Sequence, residues 1–229
     1  MTDSLFPKFI KSLSQNFIPV IDAGFSNEDY TFIDLSVISN GLKTVDVSSS
    51  KAFEEYINHY LTISKAKVAY GGYNETRGIY RRSTHFNQQD PETERNIHIG
   101  LDVWCDAGTD VLAPLGGKVH SFKNNENFGD YGPTIVLQHQ IEDVTFYTLY
   151  GHLSLKSIEN LEVGQRFNPG DVLATLGDSS VNGDYAPHLH FQIIKDMQGN
   201  VGDYPGVSNR KELNFYLQNC PDPNLLLKI

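Results

Sequence analysis

The sequence has 229 residues, 39% of them hydrophobic, which is enough for a large domain with a packed core. A formal net charge of −10 and a pI near 5.2 argue against nucleic acid or an anionic membrane surface as a partner, because no basic stripe is present to neutralise phosphates. No segment approaches the roughly 18 apolar residues of a membrane span, and Cys105 and Cys220 match no disulfide framework or metal motif. We therefore expect a soluble, globular protein, with no prediction about its oligomeric state.

Residues 1–85 are predicted to form an N-terminal extension of mixed α and β structure. An amphipathic start is followed by the apolar runs FIPVI and YTFIDLSVI, which favour strands. Ser50 is predicted to be the N-cap of a helix whose apolar residues recur at helical spacing from Phe53 to Leu61. The first residues lack the apolar run of a signal peptide, so the sequence as written predicts a cytoplasmic protein, or an extracytoplasmic one if a leader was removed.

Residues 86–205 are predicted to form a mainly β domain, an antiparallel sheet in a barrel-like or sandwich arrangement. Runs such as HIGLDVW, PTIVLQH and DVLATLG are separated by turns rich in glycine and proline. NPGD at 168–171 suits a type II turn in which Gly170 has a positive φ. GTDVLAPLGGKV and GQRFNPGDVLATLG echo each other, which is consistent with two related hairpins. Residues 206–229 are predicted to form a short helix ending near Pro221 and an apolar tail that packs on the body.

Two histidine motifs indicate where the chemistry lies. If APHLHFQI is a strand, His188, His190 and Gln192 share one side and the apolar residues share the other. In HIGLDVW, His98 and Asp102 are four residues apart and would share one face of a strand. Two nitrogens and one oxygen with an open fourth position are typical of a catalytic zinc site, and His190 is the candidate third ligand, from a neighbouring strand. Either motif alone occurs by chance in ordinary strands, whereas their joint presence predicts a metal site.

The successive runs HIGLDVWCDAGTDVLAPLGGKV, YTLYGHLS, GDVLATLGDS and APHLHFQI resemble the signatures of the lysostaphin-type (LytM-type) zinc metalloendopeptidases. Those enzymes cut peptide bonds in the cross-links of bacterial cell walls. The resemblance covers about residues 95–195. It implies Zn²⁺ bound by His98, Asp102 and His190, and two catalytic histidines that are not ligands, His152 and His188. Two free imidazoles beside a metal can take a proton from the attacking water and pass one to the leaving amine. The sequence does not distinguish which of the two histidines performs which transfer.

Three hypotheses about function follow. The first is a zinc-dependent peptidase that hydrolyses peptidoglycan cross-links or related short peptides. The second is a zinc enzyme of the same fold with a cytoplasmic small substrate; the tail segments GDYPGV and NCPDPNLLL are similar to a peptidase-like part of larger proteins with kinase-like and aminotransferase-like domains. The third is a non-catalytic regulatory or binding module that has lost its metal. Retention of the whole set of site residues argues against the third.

Asn74, in YGGYNETRG, is a candidate occluding residue. Related enzymes can be held latent by an asparagine that a preceding segment lays onto the zinc, and the flanking glycines would let this loop approach closely. The alternatives are a wall of the substrate groove or an ordinary turn asparagine. These two alternatives are favoured over occlusion, because clusters of glycine and asparagine are common in loops.

Overall fold

The computed structural model of the protein describes residues 5–22, 24–82, 90 and 92–229, and its architecture is mainly β. The strands are β1 (Tyr30–Phe32), β2 (Val68–Gly71), β3 (Glu75–Thr76), β4 (Ile97–His98), β5 (Leu101–Trp104), β6 (Asp110–Leu112), β7 (Gly117–Asn125), β8 (Gly132–Ile141), β9 (Val144–Gly151), β10 (Arg166–Phe167), β11 (Val172–Thr175), β12 (His188–Ile194) and β13 (Val207–Ser208). The α-helices are α1 (Phe6–Ser12), α2 (Ser50–Ser64), α3 (Leu213–Asn219) and α4 (Asn224–Leu227).

Eight strands form the main sheet, in the order β1-β2-β5-β12-β9-β8-β7-β10. Neighbouring strands run antiparallel except β1 and β2, which run parallel. Leu189, Phe191 and Ile193 of β12 are fully buried in the core, as the alternation in APHLHFQI predicted. The expected mainly β fold with a mixed N-terminal extension is confirmed.

The two echoing sequence segments pair with each other in space. β6 pairs with β11 in a separate two-stranded sheet, and β7 pairs with β10 at the edge of the main sheet. The turn before β11 has Gly170 at φ 86°, the left-handed conformation that the type II turn requires. A third small sheet has the order β13-β4-β3 and carries His98.

The N-terminal segment continues the same main sheet. β2 pairs with β5, so that Gly71 lies opposite Asp102, and β1 extends the sheet beyond β2. α1 buries Phe6 and Ile10 in the core. The predicted boundary between residues 85 and 86 lies outside the described residues, and the division into three parts remains a prediction.

Two local predictions are corrected. FIPVI forms no strand and contributes a single bridge between Ile21 and Val111, because its proline cannot donate to a ladder. The N-cap of α2 is Ser49, whose hydroxyl accepts a 3.2 Å hydrogen bond from the Ala52 N–H, one residue before the predicted Ser50. YTFIDLSVI is a strand only over its first three residues.

The C-terminal residues pack on the body as expected. α3 ends at Asn219, just before Pro221, and Leu226 and Leu227 of α4 are fully buried. Both cysteines are free. Within the described ranges, no helix combines the length and the apolar character needed to cross a membrane.

Candidate metal centre

The structure brings His98, Asp102 and His190 together, but by a different route from the one the spacing suggested. HIGLDVW is two strands in different sheets, with a bend at Ile99 and Gly100. This bend, and not a shared strand face, places His98 beside Asp102. His190 lies directly opposite Asp102 in the β5–β12 ladder. A Cβ on Gly100 would lie 2.4 Å from the His190 ring, so the close approach of backbone to imidazole requires glycine there.

Three potential ligand atoms of these residues lie around a common point. His98 Nε2 is 2.8 Å from His190 Nδ1, and Asp102 Oδ1 is 3.3 Å from the first nitrogen and 3.1 Å from the second. A tetrahedral zinc ion with bonds of about 2.0–2.1 Å would hold its ligand atoms about 3.3 Å apart. All three side chains are buried. The spacing therefore fits a zinc ion.

Hydrogen bonds behind the two imidazoles direct their lone pairs to that point. His98 Nδ1 is 2.9 Å from the Gly72 carbonyl, which can only accept, so Nδ1 carries the proton and Nε2 is unprotonated. Gln192 donates through its amide nitrogen to the Pro205 carbonyl, so its Oε1 accepts from His190 Nε2 at 2.9 Å and leaves Nδ1 unprotonated. Two unprotonated nitrogens facing each other beside a carboxylate oxygen repel unless a cation lies among them.

The charges around the cluster also favour a cation. Arg77 pairs with both Asp102 and Glu75, and these two carboxylates and one guanidinium leave one net negative charge. Burial lowers the pKa of His98 to about 4, so this ring is neutral at pH 7. Burial alone would raise the pKa of Asp102, but its interactions with His98 and Arg77 hold that pKa well below its usual range. A buried carboxylate with adjacent acceptor nitrogens is the donor set that a divalent ion neutralises.

His152 and His188 stand beside the cluster with matching tautomers. His152 Nδ1–H donates to the Asn182 carbonyl at 2.8 Å, and His188 Nδ1–H donates to the Ala186 carbonyl at 2.7 Å. Each ring therefore has an unprotonated Nε2. The ring centroids are 4.1 Å apart, and His188 Nε2 is 3.9 Å from Asp102 Oδ1. Burial lowers the pKa of both rings, which are neutral at pH 7 and available as proton acceptors.

The backbone at His152 is held in an uncommon conformation. Its φ is 62°, in the left-handed region, which costs a non-glycine residue roughly 1–2 kcal/mol. Its N–H donates to the Tyr131 carbonyl at 2.8 Å, and its carbonyl accepts from the Gly177 N–H at 2.9 Å. The rings of Tyr131 and Tyr185 lie 5.5 and 5.1 Å from the imidazole. These contacts fix the direction of the His152 side chain.

A cavity of about 550 Å³ adjoins the cluster. One side is formed by the five predicted site residues His98, Asp102, His152, His188 and His190. The N-terminal segment contributes apolar wall residues, among them Leu35, Val37, Leu42, Val47 and Phe53. This volume lies within the range of about 300–1,000 Å³ that is usual for small-molecule sites.

Sequence comparison agrees with this geometry. Residues 96–203 match the sequence model of Peptidase family M23. This segment belongs to peptidase family M23. The resemblance to the lysostaphin-type peptidases is thereby confirmed, and the M23 segment (residues 96–203) contains all five predicted catalytic and metal-binding residues. Comparison with curated proteins finds no match.

Solved structures similar to the chain include several peptidases. A candidate M23 peptidase from Pseudomonas aeruginosa is 21% identical, with a TM-score of 0.36 and 62% of this chain and 45% of that chain covered. The catalytic domain of the antimicrobial peptidase lysostaphin from Staphylococcus simulans is 25% identical, with a TM-score of 0.36 and coverages of 57% and 85%. A zinc-containing peptidase from Vibrio cholerae is 28% identical, with a TM-score of 0.35 and coverages of 47% and 31%. The chain thus spans less than half of the Pseudomonas and Vibrio chains, and the family assignment rests on the sequence match.

The structure does not bring Asn74 to the M23 site. Asn74 is exposed, has φ 54°, lies in the turn between β2 and β3, and is absent from the cavity wall. This is the geometry of an ordinary turn asparagine, one of the two alternatives that the sequence favoured over occlusion. The occluding position is not supported, because Arg77, three residues later, is the side chain that reaches Asp102.

Sequence reasoning missed the groups that orient the M23 site. The alternation in APHLHFQI placed Gln192 on the histidine side but assigned it no role, although it fixes the His190 tautomer. Tyr131 lies in no recognised sequence motif. Its hydroxyl donates to the Tyr204 carbonyl at 3.1 Å and lies 3.4 Å from His190 Nε2. Arg77 precedes the M23 segment and also had no motif.

Proposed function

We propose that the protein is a zinc-dependent peptidase in which His98 Nε2, Asp102 Oδ1 and His190 Nδ1 hold the metal. The observation that carries this proposal is the convergence of two unprotonated nitrogens and one carboxylate oxygen within 3.3 Å of each other. The family match supports a hydrolase of the peptidase class. A bound zinc ion would supply Lewis acidity, polarising the scissile carbonyl and acidifying a water molecule.

His152 and His188 are proposed as the proton-transferring residues. Their Nε2 atoms are unprotonated because each Nδ1–H is donated to a backbone carbonyl. One imidazole accepts a proton from the water as the water oxygen attacks the carbonyl carbon. The resulting imidazolium gives that proton to the amine nitrogen as the carbon–nitrogen bond breaks. Both rings have the same tautomer and similar burial, so the same chemistry is open to either.

The proposed substrate is a peptide of the peptidoglycan cross-link type or a related short peptide. The match of residues 96–203 to Peptidase family M23 supports the proposal that the cleaved bond is a peptide bond. The second candidate is a zinc enzyme of the same fold with a cytoplasmic small substrate, and one observation favours it. The N-terminal segment forms part of the wall of a cavity of about 550 Å³, a volume suited to a short ligand.

Metal analysis followed by digestion tests these proposals. The protein is purified without chelator, its zinc content is measured by elemental analysis, and it is incubated with purified peptidoglycan and separately with glycine- and alanine-rich short peptides. The His190→Ala variant is the control. Stoichiometric zinc with release of peptidoglycan fragments or with cleavage of the short peptides supports the first candidate, and stoichiometric zinc with neither reaction favours the second. A protein that contains no transition metal and takes up no added zinc would contradict both.

A further inference from the structure

Arg77 lies immediately behind the proposed ligand Asp102. Its Nη1 donates to Asp102 Oδ2 at 2.5 Å, and its Nε donates to Glu75 Oε2 at 2.6 Å. The side chain is only 5% exposed, although arginine is among the residues least often buried. The two carboxylates balance the charge of the buried guanidinium, whereas any one of the three charges alone would be strongly unfavourable.

The fold around Arg77 makes room for it and fixes its direction. β3 pairs with β4 so that Glu75 lies opposite His98, and the Arg77 N–H donates to the Asn96 carbonyl at 2.8 Å just beyond that pairing. Gly72 has φ 98°, and a Cβ there would lie 1.9 Å from Arg77 Nη2. Only glycine leaves space for the guanidinium at this point.

Two further contacts restrict the movement of the Arg77 side chain. The guanidinium carbon lies 5.5 Å from the centre of the Trp104 ring, within the distance of a cation–π contact. The other oxygen of Glu75, Oε1, accepts from the Leu35 N–H at 3.2 Å, so the partner of Arg77 is itself anchored to the N-terminal segment. Arg77 is therefore held in one position.

We infer that Arg77 is a positioning residue that presents a single oxygen of Asp102 to the metal. The inference rests on the proposed zinc function. Because Arg77 bonds Oδ2, only Oδ1 faces His98 and His190, and Asp102 is a ligand through one atom. Residues that hold a metal ligand from behind usually contribute 10–100-fold to metal affinity.

Replacing Arg77 would have two consequences for the ligand. Asp102 would keep its charge in a buried site with no partner behind it, and its carboxylate would be free to rotate and offer both oxygens to the ion. Lysine would preserve the charge but not the geometry, because a single ammonium nitrogen replaces the fork that bonds Glu75 and Asp102 at once. Arg77→Gln and Arg77→Lys are therefore both expected to weaken zinc binding.

The experiment measures the zinc dissociation constant of the full chain by competition with a chromogenic chelator. Wild type, Arg77→Gln, Arg77→Lys and Arg166→Gln are compared. Arg166 is an exposed arginine on β10, outside the cavity, so its replacement is the matched control. We expect about 10–100-fold weaker zinc binding in Arg77→Gln, a smaller weakening in Arg77→Lys, and wild-type affinity in Arg166→Gln. If wild type binds zinc and both Arg77 variants bind it equally well, the inference is overturned.

Cobalt substitution separates positioning from a merely structural role. Four-coordinate Co²⁺ absorbs visible light more strongly than five- or six-coordinate Co²⁺, so a second oxygen from Asp102 should weaken the band in the Arg77 variants. Unchanged spectra in folded variants would contradict the inference. If Arg77→Gln does not fold, as judged by circular dichroism without metal, Arg77→Lys carries the test. If wild type binds no zinc, the proposed zinc-dependent function is refuted, and the positioning role of Arg77, which depends on it, is refuted as well.

Discussion

His139 on β8 is a buried neutral imidazole outside the cavity, and it predicts a specific acid sensitivity. Its Nδ1–H donates to the Gly116 carbonyl at 2.9 Å, and its Nε2 accepts from Thr148 Oγ1 at 2.7 Å. Burial lowers its pKa from 6.5 to about 4. Between these values the unfolded chain binds more protons than the folded chain, so the free energy of unfolding falls as the pH falls. At about 1.4 kcal/mol per pH unit, the loss reaches about 3 kcal/mol by pH 4.

Urea unfolding at several pH values from 7 to 4, with a chelator present to exclude metal release, measures this effect. Wild type is compared with His139→Gln and with His59→Gln, which removes an exposed histidine of α2. His139→Gln is expected to lose about 3 kcal/mol less than wild type across this range, whatever its stability at pH 7. His59→Gln should follow wild type. Parallel curves for His139→Gln and wild type would refute the reasoning.

The remaining predictions concern the site. His190→Ala is expected to lose zinc and activity together, as measured by elemental analysis and peptide hydrolysis; a variant that still holds zinc would remove His190 from the ligand set. His152→Ala and His188→Ala are expected to keep zinc while activity falls about 10²–10⁴-fold, because their proposed role is proton transfer. If either is metal-free, that histidine is a ligand. Asn74→Ala is expected to leave zinc content and turnover unchanged, because this side chain is exposed outside the cavity. A rise in turnover would revive the latch hypothesis.

The sequence predicted the core side of β12 well, because a two-residue alternation directly reports which side chains share a face. Leu189 and Phe191 are fully buried in the core, and His190 faces Asp102 on the next strand. The same rule failed for His98 and Asp102. Their four-residue spacing suggested one strand, but Gly100 lies in a bend between two sheets. A pattern that two different backbones can satisfy identifies the residues of a site without identifying its geometry.

The orienting groups could not be predicted from local patterns, because their roles depend on contacts between distant parts of the chain. Gly72 holds His98 through a backbone carbonyl, and any residue type supplies a carbonyl. Arg77 is 25 residues from Asp102, in a segment that resembles a polar turn. Only the pairing of β3 with β4 and of β2 with β5 brings these groups together.

The proposed metal centre is therefore shared between the M23 segment and the chain that precedes it. All three proposed ligands lie within residues 96–203, but two of the groups that orient them do not. The Gly72 carbonyl fixes the proton on His98, and Arg77 occupies one oxygen of Asp102. Since a ligand's protonation state and orientation set how strongly it binds a metal, zinc affinity is expected to depend on residues 72–77 as well as on the ligands. The N-terminal segment is then part of the centre itself and not only a wall of the cavity.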